Sequence, residues 1–109
     1  MAYDDKLAER IRPLVHIQQT VVEKAMFGGV GWLVNGNMAV GIWKESLVVR
    51  VGLDAYPTCL AEPQVKEFDI TGRAMRGWVL VAPEAIATKK ALQRWLDLGL
   101  SFAASLPPK

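Results

Sequence analysis

The sequence is short of the groups on which most covalent catalysis and cross-linking depend. It contains one cysteine, Cys59, and one histidine, His16, in 109 residues. A single thiol excludes an intramolecular disulfide and points to a reducing compartment. It also leaves no sulfur and imidazole set for zinc, and the acidic residues lack the loop spacing of an oxygen-ligand site. A Cys–His nucleophile pair needs both groups within hydrogen-bond reach. His16 falls beside Val15 in one helical segment and Cys59 between Thr58 and Leu60 in another, so an inert buried thiol is the expectation. Neither a cofactor nor a metal is expected.

An excess of one charge is equally lacking. Thirteen Lys and Arg face eleven Asp and Glu, for a net charge of +2, and the signs alternate along the chain. Direct nucleic-acid binding is not expected without a basic stripe. No apolar run approaches the ~20 residues that cross a bilayer. The opening Met-Ala-Tyr-Asp-Asp-Lys is acidic and lacks the layout of a signal peptide, so a cytoplasmic protein without membrane association is expected. What is abundant is apolar surface: 51% of residues are hydrophobic, with four Trp, three Phe and two Tyr. That suffices for a core without staples.

The patterning is that of an α+β domain. Asp4-Asp5-Lys6 reads as a helix start, and Leu7, Ile11, Leu14 and Val15 share one helical face, with Pro13 expected to kink or end it. Residues 20–27 alternate as a strand, Val21, Glu23 and Ala25 facing one way and Val22, Lys24 and Met26 the other. Asn35-Gly36 is a strong hairpin signal between Trp32-Leu33-Val34 and residues 38–43. A further strand is expected over 46–51, after a tight turn at Lys44-Glu45. A short helix follows, capped by Asp54 and running to Leu60. Strands over 66–71 and 76–81, joined across Thr71-Gly72-Arg73, complete the sheet. The last helix is capped by Thr88, carries a stripe of Leu92, Trp95, Leu96, Gly99, Phe102, Ala103 and Leu106, and stops at Pro107-Pro108. The order is helix, three or four antiparallel strands, short helix, two strands, long helix. It implies α+β and not a doubly wound parallel sheet.

The glycine-rich run Gly28-Gly29-Val30-Gly31 is not a nucleotide fingerprint. Gly29-Val30-Gly31-Trp32-Leu33-Val34 lacks the last glycine of a dinucleotide motif. Gly31 and Gly36 have the spacing of a P-loop, but Asn37-Met38 stands where Lys-Ser/Thr is required. The glycines are read as architecture: Gly28, Gly29 and Gly31 for turns or a bulge, Gly36 for the positive φ of the hairpin.

With these segments in place, the chain resembles the TfoX N-terminal-domain family, named for the bacterial competence regulator TfoX/Sxy. The likeness is carried by Glu23-Lys24-Ala25-Met26-Phe27-Gly28-Gly29, Asn35-Gly36-Asn37-Met38, Arg50-Val51-Gly52, residues 68–78 (FDITGRAMRGW) and the closing residues 102–109 (FAASLPPK). Ala74 stands where such sequences often have Pro. The resemblance implies an α-β(3)-α-β(2)-α arrangement like that of secretion chaperones. It also implies one stand-alone domain over residues 1–109, similar to the first part of the full-length regulators. It supplies no catalytic residues.

Candidate contacts follow from charge in unusual places. Arg50 points away from Leu47, Val49 and Val51, and a charge in a central strand is usually paired, with Glu23 or Asp69 as candidate partners. A structural ion pair is the first expectation and a ligand contact the second. Thr71, Arg73 and Arg76 gather one hydroxyl and two guanidiniums near a turn, where arginine forks suit carboxylate or phosphate. This turn is the candidate anion or partner contact, against a plain reading as solvated charge. Lys89, Lys90 and Arg94 read as an ordinary solvated helix face. All four tryptophans are expected in the core, and Trp32, between glycine-rich turns, is the one placed for partial exposure as a partner anchor.

The expected function is a non-enzymatic regulatory or protein-interaction domain with a protein partner or a second copy of itself. The alternative is a small-anion or metabolite binder, or an enzyme, using Arg50, Asp69, Thr71 and Arg73.

Overall fold

The structure is a computed structural model that describes residues 4–15, 21–26, 29–69, 72 and 75–108. Helix α1 (Asp5–Val15) is capped by Asp4, whose Oδ1 accepts from the backbone N–H groups of Lys6 at 2.9 Å and Leu7 at 3.3 Å. Such a carboxylate satisfies orphan donors and lies at the positive end of the helix dipole. Pro13 is accommodated inside this helix, which continues to Val15. Four strands follow: β1 (Val21–Met26), β2 (Gly29–Val34), β3 (Asn37–Trp43) and β4 (Ser46–Arg50). They form an antiparallel meander whose β2–β3 hairpin turns on Asn35 and Gly36, with φ of 53° and 83°. Two consecutive positive φ values are what a two-residue turn needs to match strand twist.

Helix α2 (Tyr56–Leu60), strands β5 (Val65–Glu67) and β6 (Trp78–Val81), a 3₁₀ turn (Pro83–Ile86) and helix α3 (Lys89–Ser105) complete the chain. The fold is thus α+β, with a six-stranded antiparallel sheet in the order β1-β2-β3-β4-β6-β5. Four strands precede α2, one more than the resemblance implied. Strand β6 docks on β4, which leaves the three-residue β5 at the edge. Asp54 does not cap α2. Ala55 occupies that position without a side-chain bond, and Pro57 starts the helix with a fixed φ and no orphaned N–H.

The helices cover one face of the sheet. There Ile11 and Val15 of α1, Leu92, Trp95, Leu96 and Leu100 of α3, and Tyr56 and Cys59 of α2 bury Trp32, Val40, Ile42, Leu47, Val49, Val79 and Val81. Helix α3 approaches closely because Gly99 has no side chain. A Cβ there would lie 2.6 Å from both the Ala39 carbonyl oxygen and Val40 Cγ1. Thr88 caps α3, its Oγ1 accepting from Ala91 N at 3.1 Å. Asn37, the one buried polar side chain among the described residues, donates to the Pro107 carbonyl at 3.0 Å and ties the chain end to the hairpin.

On the opposite face, Val48 and Leu80 bury against Phe68, flanked by Trp43, Met75 and Trp78. Phe68 and Met75 therefore cover the β4–β6 half of that face. The β1–β3 half carries Val22, Lys24, Leu33 and Met38.

Candidate functional site

Strand alternation decides what each candidate residue meets. Gly31 does not make a turn or bulge. It lies in β2 in regular register with Lys24 and Gly41, and the register shift falls one step later, between Trp32 and Leu33. The residue after Gly36 opens a strand, so no helix N-terminus stands behind the glycines to hold a phosphate. Phe27 and Gly28 lie outside the described residues.

Trp32 is corrected from candidate anchor to core. It is fully buried, and its Nε1 donates to Glu23 Oε1 at 3.1 Å directly across the β1–β2 pair. Its neighbours in sequence suggested exposure, but parity with Val30 and Val34 puts the indole under the helices. Trp95 is buried as expected, whereas Trp43 and Trp78 are half-buried on the opposite face.

The expected ion pair of Arg50 with Glu23 or Asp69 is also corrected. Glu23 is on the helix-covered side of the sheet, where its carboxylate takes Arg12 Nε at 2.8 Å and Nη2 at 3.0 Å. Arg50 instead holds its guanidinium carbon 5.1 Å from the Trp78 ring centre and 5.7 Å from that of Phe102. Trp78 is its direct cross-strand neighbour. Cation–π attraction fixes such a guanidinium without using its N–H donors. Arg50 makes no ion pair among the described residues, and no buried side-chain nitrogen or oxygen among them lacks a partner. Its donors are therefore open to water. Gly52, at φ +87°, leaves the space into which the Phe102 ring packs beside it. This clamp was not legible in the sequence. Only a knowledge that β6 pairs with β4, and that α3 ends over Gly52, brings the three residues together.

Asp69 and Arg76 are both exposed. The Asp69 carbonyl accepts from Gly72 N at 2.9 Å, and Met75 N donates to the Phe68 carbonyl at 3.0 Å. Arg76 lies near Tyr56, whose hydroxyl donates to Glu67 Oε2 at 3.3 Å. Burial, with Glu67 beside it, pushes the Tyr56 phenol up, and the Arg76 charge partly offsets this. Thr71 and Arg73 lie outside the described residues, as does His16. Of the proposed constellation, then, Arg50, Asp69 and Arg76 are placed, and the structure pairs Arg50 with aromatic rings instead of with either of them.

Burial also pushes the Cys59 thiol up, helped by Glu62 and opposed by Arg94. A raised pKa disfavours the thiolate, the form that reacts. Arg94 itself holds Glu62 at 2.6 Å and lies 4.6 Å over the Trp95 ring, while Lys89 and Lys90 are exposed as a solvated helix face. Shallow grooves run along α3 by Thr88, Lys90 and Asp97, and between α1 and α3 by Pro13 and Leu92. Neither includes Arg50.

An α+β sheet covered on one side by helices, with an arginine at the end of β4 clamped between Trp78 of the sheet and Phe102 of α3, defines an architecture and leaves activity open. The TfoX N-terminal domain model matches residues 14–103, most of the chain, and the chain belongs to that family. Comparison with curated proteins gives no match, and comparison with solved structures gives none. Among the described residues, no helix is long and apolar enough to cross a membrane.

Proposed function

We propose that this chain is a non-enzymatic regulatory domain that works by holding a protein partner. The observation that carries this reading is membership of the TfoX N-terminal domain family, whose named member is a regulator. Two features support it. The one thiol is buried, and burial raises its pKa, which disfavours the reactive thiolate. In addition, Val22 and Leu53, large apolar side chains, remain 58% and 64% exposed while the core is filled. Exposed apolar groups of this size are ordinary elements of a protein contact.

Light scattering after size exclusion, together with quantitative capture by the wild-type chain and by an Arg50→Glu/Arg76→Glu variant, tests it. A saturable protein partner, or a dimer, lost in the variant is expected. A strict monomer that captures nothing contradicts the proposal.

A second reading is favoured by the open donors of Arg50: a small anion or metabolite held by Arg50 and Asp69, with Thr71 and Arg73. A thermal-shift screen with carboxylate and phosphate metabolites separates the two. Stabilisation that Arg50→Gln abolishes supports the ligand reading, and no shift leaves the protein partner.

A further inference from the structure

The sheet face away from the helices is laid out in rows. Val22 of β1 sits opposite Leu33 of β2, and Leu33 opposite Met38 of β3. Cross-strand neighbours share a face, so these three side chains form one apolar line running across the strands. Val22 is 58% exposed, and Leu33 and Met38 are half-buried. On β4 Arg50 leaves from the same face, one residue beyond the Val40–Val49 pair, and at the end of the strand its guanidinium reaches the rim of the sheet, between Trp78 of this face and Phe102 of α3. The line thus runs from exposed aliphatic groups to an oriented cation with open donors.

The charge on this face has one sign. Among the described strand residues, those that alternation places here and that carry charge are Lys24, Arg50 and Lys66, all cationic. Glu45, in the β3–β4 turn, and Asp69, beyond Phe68, are exposed acids outside the strands. An anionic partner is favoured and a second copy of the same face is repelled. Within the row, apolar Val22, Leu33 and Met38 offer no ring on which a nucleobase stacks, and the half-buried Trp43 and Trp78 lie beyond it on the β4–β6 half, so an oligonucleotide is set as a competing outcome of the test.

Spacing selects the shape of the partner. Neighbouring strands are ~4.8 Å apart and an α-helix advances ~5.4 Å per turn, so a helix lying across the strands meets one strand per turn. Its residues i, i+4 and i+7 would then fall on Val22, Leu33 and Met38, and a residue one turn further on would reach Arg50. We infer that the row Val22–Leu33–Met38–Arg50 is the docking site for an amphipathic helix of a protein partner, with apolar anchors on the three aliphatic side chains and a carboxylate on Arg50. This rests on the interaction reading above and gives that partner a chemistry. Clamping by two rings leaves the guanidinium little freedom to lose when a carboxylate takes its fork.

The test uses isotope-labelled full chain and a synthetic helical peptide with Leu at i, i+4 and i+7 and Glu at i+11, followed by amide chemical shifts. Saturable shifts centred on Val22, Leu33, Met38 and Arg50 are expected. Arg50→Gln in the protein and Glu→Gln in the peptide should each weaken binding about tenfold, with little further loss when combined, as for one charge-assisted contact. Val22→Asp, at a position 58% exposed, should weaken it by a similar factor with the amide spectrum of the free protein otherwise unchanged. Shifts confined to the α1–α3 face, equal binding of the Gln peptide, or preferential filling of the row by an oligonucleotide or a second copy overturns the proposal. If a natural partner is captured equally by wild type and by Val22→Asp and Arg50→Gln, the interaction reading stands and this docking site falls.

Discussion

The indole N–H of Trp32 donates to the carboxylate of Glu23 directly opposite it, and the same carboxylate takes both Nε and Nη2 of Arg12. One acid thus satisfies a fully buried ring and anchors α1 to the first strand. The two contacts are worth different amounts. The Arg12–Glu23 pair is 42% and 31% exposed, and pairs of that kind contribute only ~0.2–1 kcal/mol. Leaving the indole donor unsatisfied costs about 1–3 kcal/mol. Glu23→Gln, which keeps an acceptor, should cost under about 1 kcal/mol, and Glu23→Leu about 2 kcal/mol or more. Urea denaturation of both variants measures the difference, and equal losses would show that the ion pair dominates.

Gly99 tests how α3 sits on the sheet. In a helix interior Ala is favoured over Gly by about 1 kcal/mol. Here a Cβ would meet the Ala39 carbonyl and Val40 at 2.6 Å, and backbone in the middle of the sheet does not yield cheaply. Overpacking of that kind costs about 1–3 kcal/mol and should win. Gly99→Ala is therefore expected to lower the urea midpoint, against its propensity.

Gly52 carries two separate demands. Its φ of +87° disfavours any side chain, and an added Cβ would run into the Phe102 ring. Gly52→Ala should destabilise by about 2 kcal/mol or more. Pairing it with Phe102→Leu should recover the steric part and leave the φ cost. Full recovery in that double variant would show that backbone strain plays no part.

The buried thiol gives a pH dependence. Its folded pKa is raised above the ordinary value of 9.0, so native protein keeps the proton where the unfolded chain has lost it. The contribution to stability is complete below pH 9.0 and is lost as pH rises from there through the folded pKa. Tyr56 acts in the same sense above 10.0. Urea midpoints should fall as pH rises above about 9, and Cys59→Ala should shallow the first part of that fall. In native protein Cys59 should resist iodoacetamide and become reactive in urea.

Much of this architecture can be read from local chemistry. Asp4 and Thr88 as caps, Asn35-Gly36 as the hairpin and the α3 stripe each depend on residues within a few positions. What stayed hidden depends on pairing between distant segments. Strand β6 inserts beside β4, and that alone makes Trp78 the neighbour of Arg50. Trp32 was expected in the core and lies there; its flanking glycines suggest a turn and some exposure, but its parity with Val30 and Val34 puts it fully under the helices. Arg50 was correctly singled out as a charge on the outward side of a central strand. Its partners are aromatic rings, and sequence alternation says nothing about rings on another strand and a helix. Asp54 was expected to cap α2, but Pro57 one turn on makes a side-chain cap unnecessary.

We propose that this domain meets a protein on the helix-free side of the sheet. A photo-crosslinking residue placed at Val22 in living cells, compared with one at Lys90 on the solvated side of α3, tests this most directly. Discrete adducts to a protein at position 22 and none at position 90, with the former lost in Arg50→Gln, are predicted. Adducts at position 90 alone, or none at either position, would contradict it.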